Sequence, residues 1–286
     1  MRFGKRHCSS LVLALVACSA TGVYANGTVW LPAPGAGSIT ASYVSQSADD
    51  FWHIVDGQMA HTPFPPGLEQ TTTFISGTYG LADAWAVDGQ VGMSEASNKA
   101  NPAPHPTLDG RTDLGLGITW RFADEVLSDG PSMAVRFGLI LAGDYETYWP
   151  TAIGEGADGV ELSGIIGKVF ADRLALSAEV GTRNRTSDVP QETFMNFDAH
   201  LIAGRHLVLS ANYHIQDSAG DQDIHGPGFT RFVLPFVAED VNRFSLGGTL
   251  SFDRFSVGLR FFDVVDGRNT ADFDAVSGTF TYNFGR

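Results

Sequence analysis

From residue 37 onward, apolar and polar side chains alternate with a period of two. In 207–216, Leu207, Leu209, Ala211, Tyr213 and Ile215 fall on one face, and Ser210, Asn212, His214 and Gln216 on the other. In 114–122, Leu114, Leu116, Ile118, Trp120 and Phe122 oppose Gly115, Gly117, Thr119 and Arg121. In 255–261, Phe255, Val257, Leu259 and Phe261 oppose Ser256, Gly258 and Arg260. Successive side chains of a strand point to opposite faces, whereas a helix repeats every 3.6 residues, so this spacing predicts strands. Twelve such segments are legible, near 37–46, 70–81, 85–94, 112–122, 132–143, 159–170, 174–184, 192–203, 207–216, 242–252, 255–265 and 273–284. Most exceed the ~5–6 residues of an ordinary globular strand. They match the ~9–11 residues of a strand tilted across a membrane.

The connections alternate in length. Ala82-Asp83-Ala84, Ala171-Asp172-Arg173, Gly204-Arg205-His206 and Asp253-Arg254 are short, and 123–131 is somewhat longer. The intervening connections 47–69, 95–111, 144–158 and 217–241 are long, and 185–191 and 266–272 are intermediate. Such sorting predicts an all-β, antiparallel up-and-down transmembrane barrel of twelve strands, with both chain ends on the short-turn side. A soluble sandwich also alternates, but with its apolar face inward and no reason to sort loops by side. Trp85, Trp120, Phe122, Phe170, Phe252, Phe255, Tyr282 and Phe284 gather near the short turns, as an interfacial girdle does.

Residues 1–25 read as a secretory signal peptide, with Arg2, Lys5 and Arg6 ahead of an apolar run from Leu11 to Ala17 and a cleavage site after Ala25. That run is far shorter than the ~20 residues of a membrane-spanning helix. A second reading takes Leu15-Val16-Ala17-Cys18 as a lipobox that leaves Cys18 lipidated. Residues 26–286 then form the barrel, and the predicted location is the outer membrane of a Gram-negative bacterium. The expected partners are outer-membrane lipids and lipopolysaccharide, the barrel assembly machinery and a small-molecule solute. A formal charge of -14 from 18 Lys+Arg and 32 Asp+Glu argues against nucleic acid. The only two Cys, Cys8 and Cys18, precede the barrel and exclude a disulfide framework there.

With apolar faces toward lipid, the alternation turns Asp88, Asp113, Arg121, Arg136, Glu161, Glu179, Arg183, Asp198, His200, His214 and Arg260 inward. Arg121, Arg136, Glu179, Arg183, Asp198, His200, His214 and Arg260 are the candidate lumen-lining residues. Enclosed charges must be paired or hydrated. They either knit the wall together and occlude the bore, or line an aqueous path and set its selectivity. Inward glycines at Gly92, Gly115, Gly117, Gly138, Gly167, Gly181, Gly247 and Gly258 either free lumen volume or relieve strain in a curved sheet. Twelve strands imply a bore between packed eight-stranded barrels and open sixteen-stranded porins.

The long loops carry apolar residues: Phe51, Trp52 and Phe64 in the first, and Phe229, Phe232, Leu234 and Phe236 in 217–241. They form a hydrophobic lid that captures an apolar solute, or the loops pack together as a cap, or 229–237 extends the tenth strand. No cofactor or metal is expected, since Asp221-Gln222-Asp223-Ile224-His225 fits no strong zinc or calcium spacing. A lipid hydrolase needs a Ser, a His and an orienting group on the lipid-facing wall. His200 and His214 lie on polar faces and His53, His61, His105 and His225 in long connections, so no enzyme is expected.

Several local features carry a family resemblance. Trp30-Leu31-Pro32 precedes a Gly-rich first strand, and Tyr79-Gly80-Leu81-Ala82-Asp83-Ala84-Trp85 forms a hairpin. Leu114-Gly115-Leu116-Gly117 follows, then the Asp172-Arg173-Leu174 and Asp253-Arg254-Phe255 turns and a closing Tyr282-Asn283-Phe284. In this order the chain resembles the outer-membrane barrel transporters grouped with the meta-pathway phenol-degradation proteins. The resemblance implies uptake of small apolar or aromatic molecules and supplies no catalytic residue. The alternative is a structural or surface-interaction barrel, acting in adhesion or envelope integrity with an occluded lumen.

Overall fold

The computed structural model describes residues 27–55 and 57–285. The signal peptide expected over 1–25, the alternative of lipidation at Cys18, and the terminal Arg286 all fall outside the described residues. The chain runs through β1 (Gly37–Val55), β2 (Gln58–Ala82), β3 (Trp85–Ser97), β4 (Leu108–Arg111), β5 (Leu114–Ala123), β6 (Ser132–Leu141) and β7 (Gly159–Phe170). It continues through β8 (Leu174–Arg185), β9 (Gln191–Ile202), β10 (Leu207–Ala219), β11 (Asp240–Phe252), β12 (Phe255–Arg268) and β13 (Thr270–Phe284). Each strand pairs antiparallel with its neighbours, and β1 closes the ring on β13 from Gly37↔Phe284 to Trp52↔Thr270. The result is a closed barrel of twelve strands with one extra short strand, β4. In hydrocarbon an unpaired backbone group costs several kcal/mol, which closure avoids.

The outside is apolar and the inside polar. Leu259 and Phe261 are 52% and 56% exposed, whereas Arg260 between them is 8% exposed. A sandwich would bury the two apolar residues instead. Trp85 stacks on Trp120 with centroids 5.9 Å apart, and Phe255 packs on Tyr282 at 5.3 Å, giving the short-turn end an outward aromatic belt. Asp172 and Asp253 turn these ends with φ of 54° and 28°, values that Asp tolerates better than most residues.

Three connections differ from the reading by pattern. Most of 47–69 is strand: β1 and β2 run on as a hairpin well above their neighbours. Phe51, Trp52 and Phe64 therefore sit in strands, and so do His53 and His61. Prolines at 63, 65 and 66 offer no ladder N–H, and the β1–β2 register jumps there, from Ala48↔Leu68 to Asp50↔Pro63. The connection 266–272 is nearly all strand, turning at Asn269 with φ of 56°. Finally, 229–237 does not extend β10; Arg231–Phe236 is a short 3-10 helix.

Candidate functional site

The bore is the site. Alternation turns Arg136 of β6, Glu161 of β7, Arg183 of β8 and Glu192 of β9 inward at neighbouring positions, and all four are buried. Arg136 grips Asp88 of β3 with Nε at 3.0 Å and Nη2 at 2.7 Å, and donates from Nη1 to Glu161 at 2.6 Å. Arg183 donates from Nη2 to the other Glu161 oxygen at 3.0 Å and from Nη1 to Glu192. Glu179 accepts from Ser163 at 2.6 Å and Asn196 at 3.0 Å. Two guanidiniums are thus strung between carboxylates in forked, charge-assisted contacts, the form in which enclosed ions are tolerated.

The remaining lumen candidates stand apart from this ladder. Asp198 accepts from Asn212 at 3.0 Å, His214 shares a hydrogen with Asn196 at 2.7 Å, and Arg260 reaches Ser210 at 3.4 Å. His200 is buried on the inner face. Arg121 lies at the short-turn mouth, bonded to Asp124 at 2.8 Å and to the Asp83 carbonyl at 2.9 Å. The opposite wall is neutral: Ser38 meets Thr78 at 3.0 Å, Thr40 meets Thr281 at 2.8 Å and Thr72 meets Ser94 at 2.8 Å.

Most of the inward glycines do not leave open volume. A Cβ at Gly117 would lie 2.3 Å from Arg136 Nη2, one at Gly181 would lie 2.4 Å from Phe194, and one at Gly167 would lie 2.7 Å from Val29. Their space is taken by large neighbours; Gly115, with nothing near it, is an exception.

Both ends of the bore are narrowed by chain. At the short-turn end, the segment before β1 folds back inside. Val29 and Trp30 pack on Ala134, Ile165, Ala175, Ile202 and Val208, the inward residues of five adjacent strands. Trp30 Nε1 donates to Glu125 Oε1 at 2.9 Å, and Arg121 donates to the Val29 carbonyl at 3.3 Å. Gly27 reaches the charged ladder, where an added Cβ would stand 2.9 Å from Glu179 Oε1. Sequence periodicity missed this plug, because 27–33 carries no repeat. The available signal was its bed: five inward positions that are apolar on a face otherwise polar.

At the long-loop end, residues 142–158 dip inward. The strand line breaks between β4 and β5, where Asp113 accepts hydrogens from Gly143 N–H at 2.9 Å, Arg185 at 3.1 Å and the Tyr145 hydroxyl. Tyr145 oxygen in turn accepts Gly156 N–H at 3.1 Å. Burial, then the Glu192 and Glu239 carboxylates, raise the Glu155 pKa well above the carboxylate range, outweighing the pull of Arg183. Arg185 Nε stands 2.9 Å from Glu155 Oε2. Burial, helped by Glu192 and Asp240, pushes Glu239 up to about 7 against a hydrogen bond with Thr270.

Above this constriction the loops pack on one another. Arg231 lies 4.0 Å over the Trp149 ring, Phe232 meets Tyr148 at 5.7 Å, and Phe229 meets His225 at 6.0 Å. His225 approaches His53 of the β1–β2 hairpin with Nδ1 atoms 3.4 Å apart. Leu234 and Phe236 are half-buried. Phe51 and Phe64 pack on Ala48, Leu68 and Ala271, while Trp52 faces outward and stacks on His61 at 4.2 Å. Beneath the cap lies a cavity of about 330 Å³, where Phe74, Phe194, Phe262 and Phe273 mix with Arg183 and Glu192.

A closed twelve-stranded barrel, apolar outside and polar within, defines a transmembrane β-barrel of the outer-membrane type. Among solved structures, an outer membrane channel from Pseudomonas putida F1 superposes with a TM-score of 0.70 at 13% identity, covering 89% of this chain and 97% of that one. The NanC porin superposes with a TM-score of 0.50 at 6% identity, covering 86% of this chain and 100% of that one. At such identities the likeness concerns the fold. No family model matches the sequence, and no curated protein does either.

Proposed function

We propose that the protein is a passive diffusion channel of the outer membrane for small molecules, gated at both ends of its bore. The cavity carries the reading. Its volume of about 330 Å³ falls at the lower end of the ~300–1,000 Å³ of small-molecule sites, and it joins aromatic side chains to a few polar groups. That lining suits a solute of one or two rings, in keeping with the resemblance to barrels grouped with the meta-pathway phenol-degradation proteins. An outer membrane channel shares the fold along nearly its whole length, which supports the same reading. Residues 1–25 serve as the export signal, and assembly machinery and lipopolysaccharide are the partners such a barrel meets.

The test is conductance of the purified protein in planar bilayers, with solute uptake into proteoliposomes. Current steps and uptake of small aromatic solutes are expected. A silent barrel would overturn the reading, provided it stays silent after removal of 26–33. That result would favour the second reading, an occluded structural barrel. The plug at Val29 and Trp30 and the paired ladder are the observations that support the second reading.

A further inference from the structure

The outer wall of the protruding hairpin carries an arrangement unrelated to the bore. Beyond Ala48 a bulge in β1 sets Asp49 and Asp50 against the single Asp272 of β13. Bulges re-aim side chains. Here the bulge reverses the facing of β1, so that Phe51 and His53 turn inward and Asp50 and Trp52 turn outward. On β2, Thr62 bonds the inward His53 at 2.8 Å, which leaves its neighbour His61 on the outside. His61 reaches across β1, its Nε2 2.7 Å from Asp272 Oδ2. Its ring is held by Trp52, stacked at 4.2 Å and 28°. The donor atoms of Asp50, His61 and Asp272 all lie within 4.8 Å of one another.

We infer that Asp50, His61 and Asp272 form a binding site for a divalent transition-metal ion of the Zn(II) class. One imidazole nitrogen and two carboxylate oxygens are ligands for Zn(II) and its neighbours, whereas Ca(II) and Mg(II) prefer oxygen alone. Three protein ligands leave a fourth position open to water. The carboxylates neutralise the ion, and Asp263 and Asp274, paired across β12 and β13, extend the negative wall alongside. The three ligands sit on three adjacent strands, so a bound ion clamps the hairpin to β13. The same hairpin presents His53 to His225 of the loop cap on its inner side. Metal occupancy therefore stiffens the wall on which the cap rests.

The site is tested with untagged, full-length protein folded in detergent, stripped with chelator and titrated with Zn(II) by calorimetry, with Co(II) absorption as a spectroscopic check. One equivalent of Zn(II) is expected, and His61→Ala, Asp272→Asn and Asp50→Asn should each weaken binding more than about tenfold. Heat-modifiable gel mobility reports folding, and the nearly isosteric Asp50→Asn carries the test if another variant fails to fold. The double variant His53→Ala/His225→Ala should bind as the parent does. Absence of stoichiometric binding, retention of binding by Asp50→Asn, loss only in the His53/His225 variant, or displacement by modest Ca(II) would each overturn the assignment.

Discussion

Replacing Trp30 with Ala should open the short-turn end of the bore. The indole is 4% exposed, packed on the inward residues of five strands, and it donates to Glu125. Truncating a buried Trp costs about 3–5 kcal/mol in a protein core. The mouth of a barrel is more easily wetted than a core, and Glu125 keeps its bond from Val169 N–H at 2.8 Å, so the lower figure applies. About 3 kcal/mol shifts the docked-to-released ratio of the segment by roughly a hundredfold, since ~1.4 kcal/mol is tenfold. In single-channel recordings the long closed intervals of the parent should shorten accordingly, and mean conductance should rise. Trp30→Phe separates the two contributions: it keeps most of the packing, loses the hydrogen bond, and should show about a tenfold effect, as a net bond of ~1–1.5 kcal/mol implies. Unchanged closed intervals in Trp30→Ala, with the barrel folded, would refute the view that this segment holds the bore shut.

Two further outcomes are expected. Glu155 and Glu239 are held above their ordinary ionisation range when the loops are docked, so docking takes up protons. Docking is therefore strongest at acid pH and weakens as pH rises through about 7 for Glu239 and about 9 for Glu155, and conductance should climb over that interval. Glu155→Gln, which mimics the protonated group, should flatten the upper part of the climb, toward about pH 9; a parent profile that is level or falls with pH would remove the gate. Glu161→Ala leaves Arg136 and Arg183 each short of a carboxylate, an imbalance of about 3–5 kcal/mol for a broken enclosed pair. It should lower the temperature at which the barrel loses its heat-modifiable gel shift, and an unaltered temperature would show that the ladder is fully hydrated.

The wall of the barrel was legible in the sequence because lipid enforces a strict period. All twelve segments coincide with strands, and the short turns fall where Asp and Gly punctuate the chain. The upper hairpin was not legible. Its alternation is broken by the bulge at Asp49-Asp50 and by three prolines, features that resemble a loop in sequence yet act as a register change in a paired ladder. For the same reason His61 reads as a loop residue, although it lies on an outward strand face. β4 spans only four residues and carries no measurable period. The constrictions were invisible for a different reason. Asp113, Tyr145, Arg185 and Glu155 meet through loop geometry, and the plug is placed by tertiary packing alone.

The division of the bore into a charged wall and a hydroxyl wall bears on what can pass. A bare ion in a narrow lumen would hold water tightly, and an uncharged solute would have to strip it at a high cost. Here Arg136 and Arg183 already share Asp88, Glu161 and Glu192, so much of their field closes on itself. The hydroxyls opposite bond one another in pairs across strands, as Thr40 does with Thr281. Most polar groups of these walls bond within the protein, the exceptions including Ser42 Oγ, Ser277 Oγ and Arg243 Nε. A neutral ring moving past them gives up little and gains contact with Phe74, Phe194 and Phe262 above. On the proposed channel reading, the pairing within the ladder would lower the cost of passage for an uncharged solute once the segment holding Val29 and Trp30 is displaced.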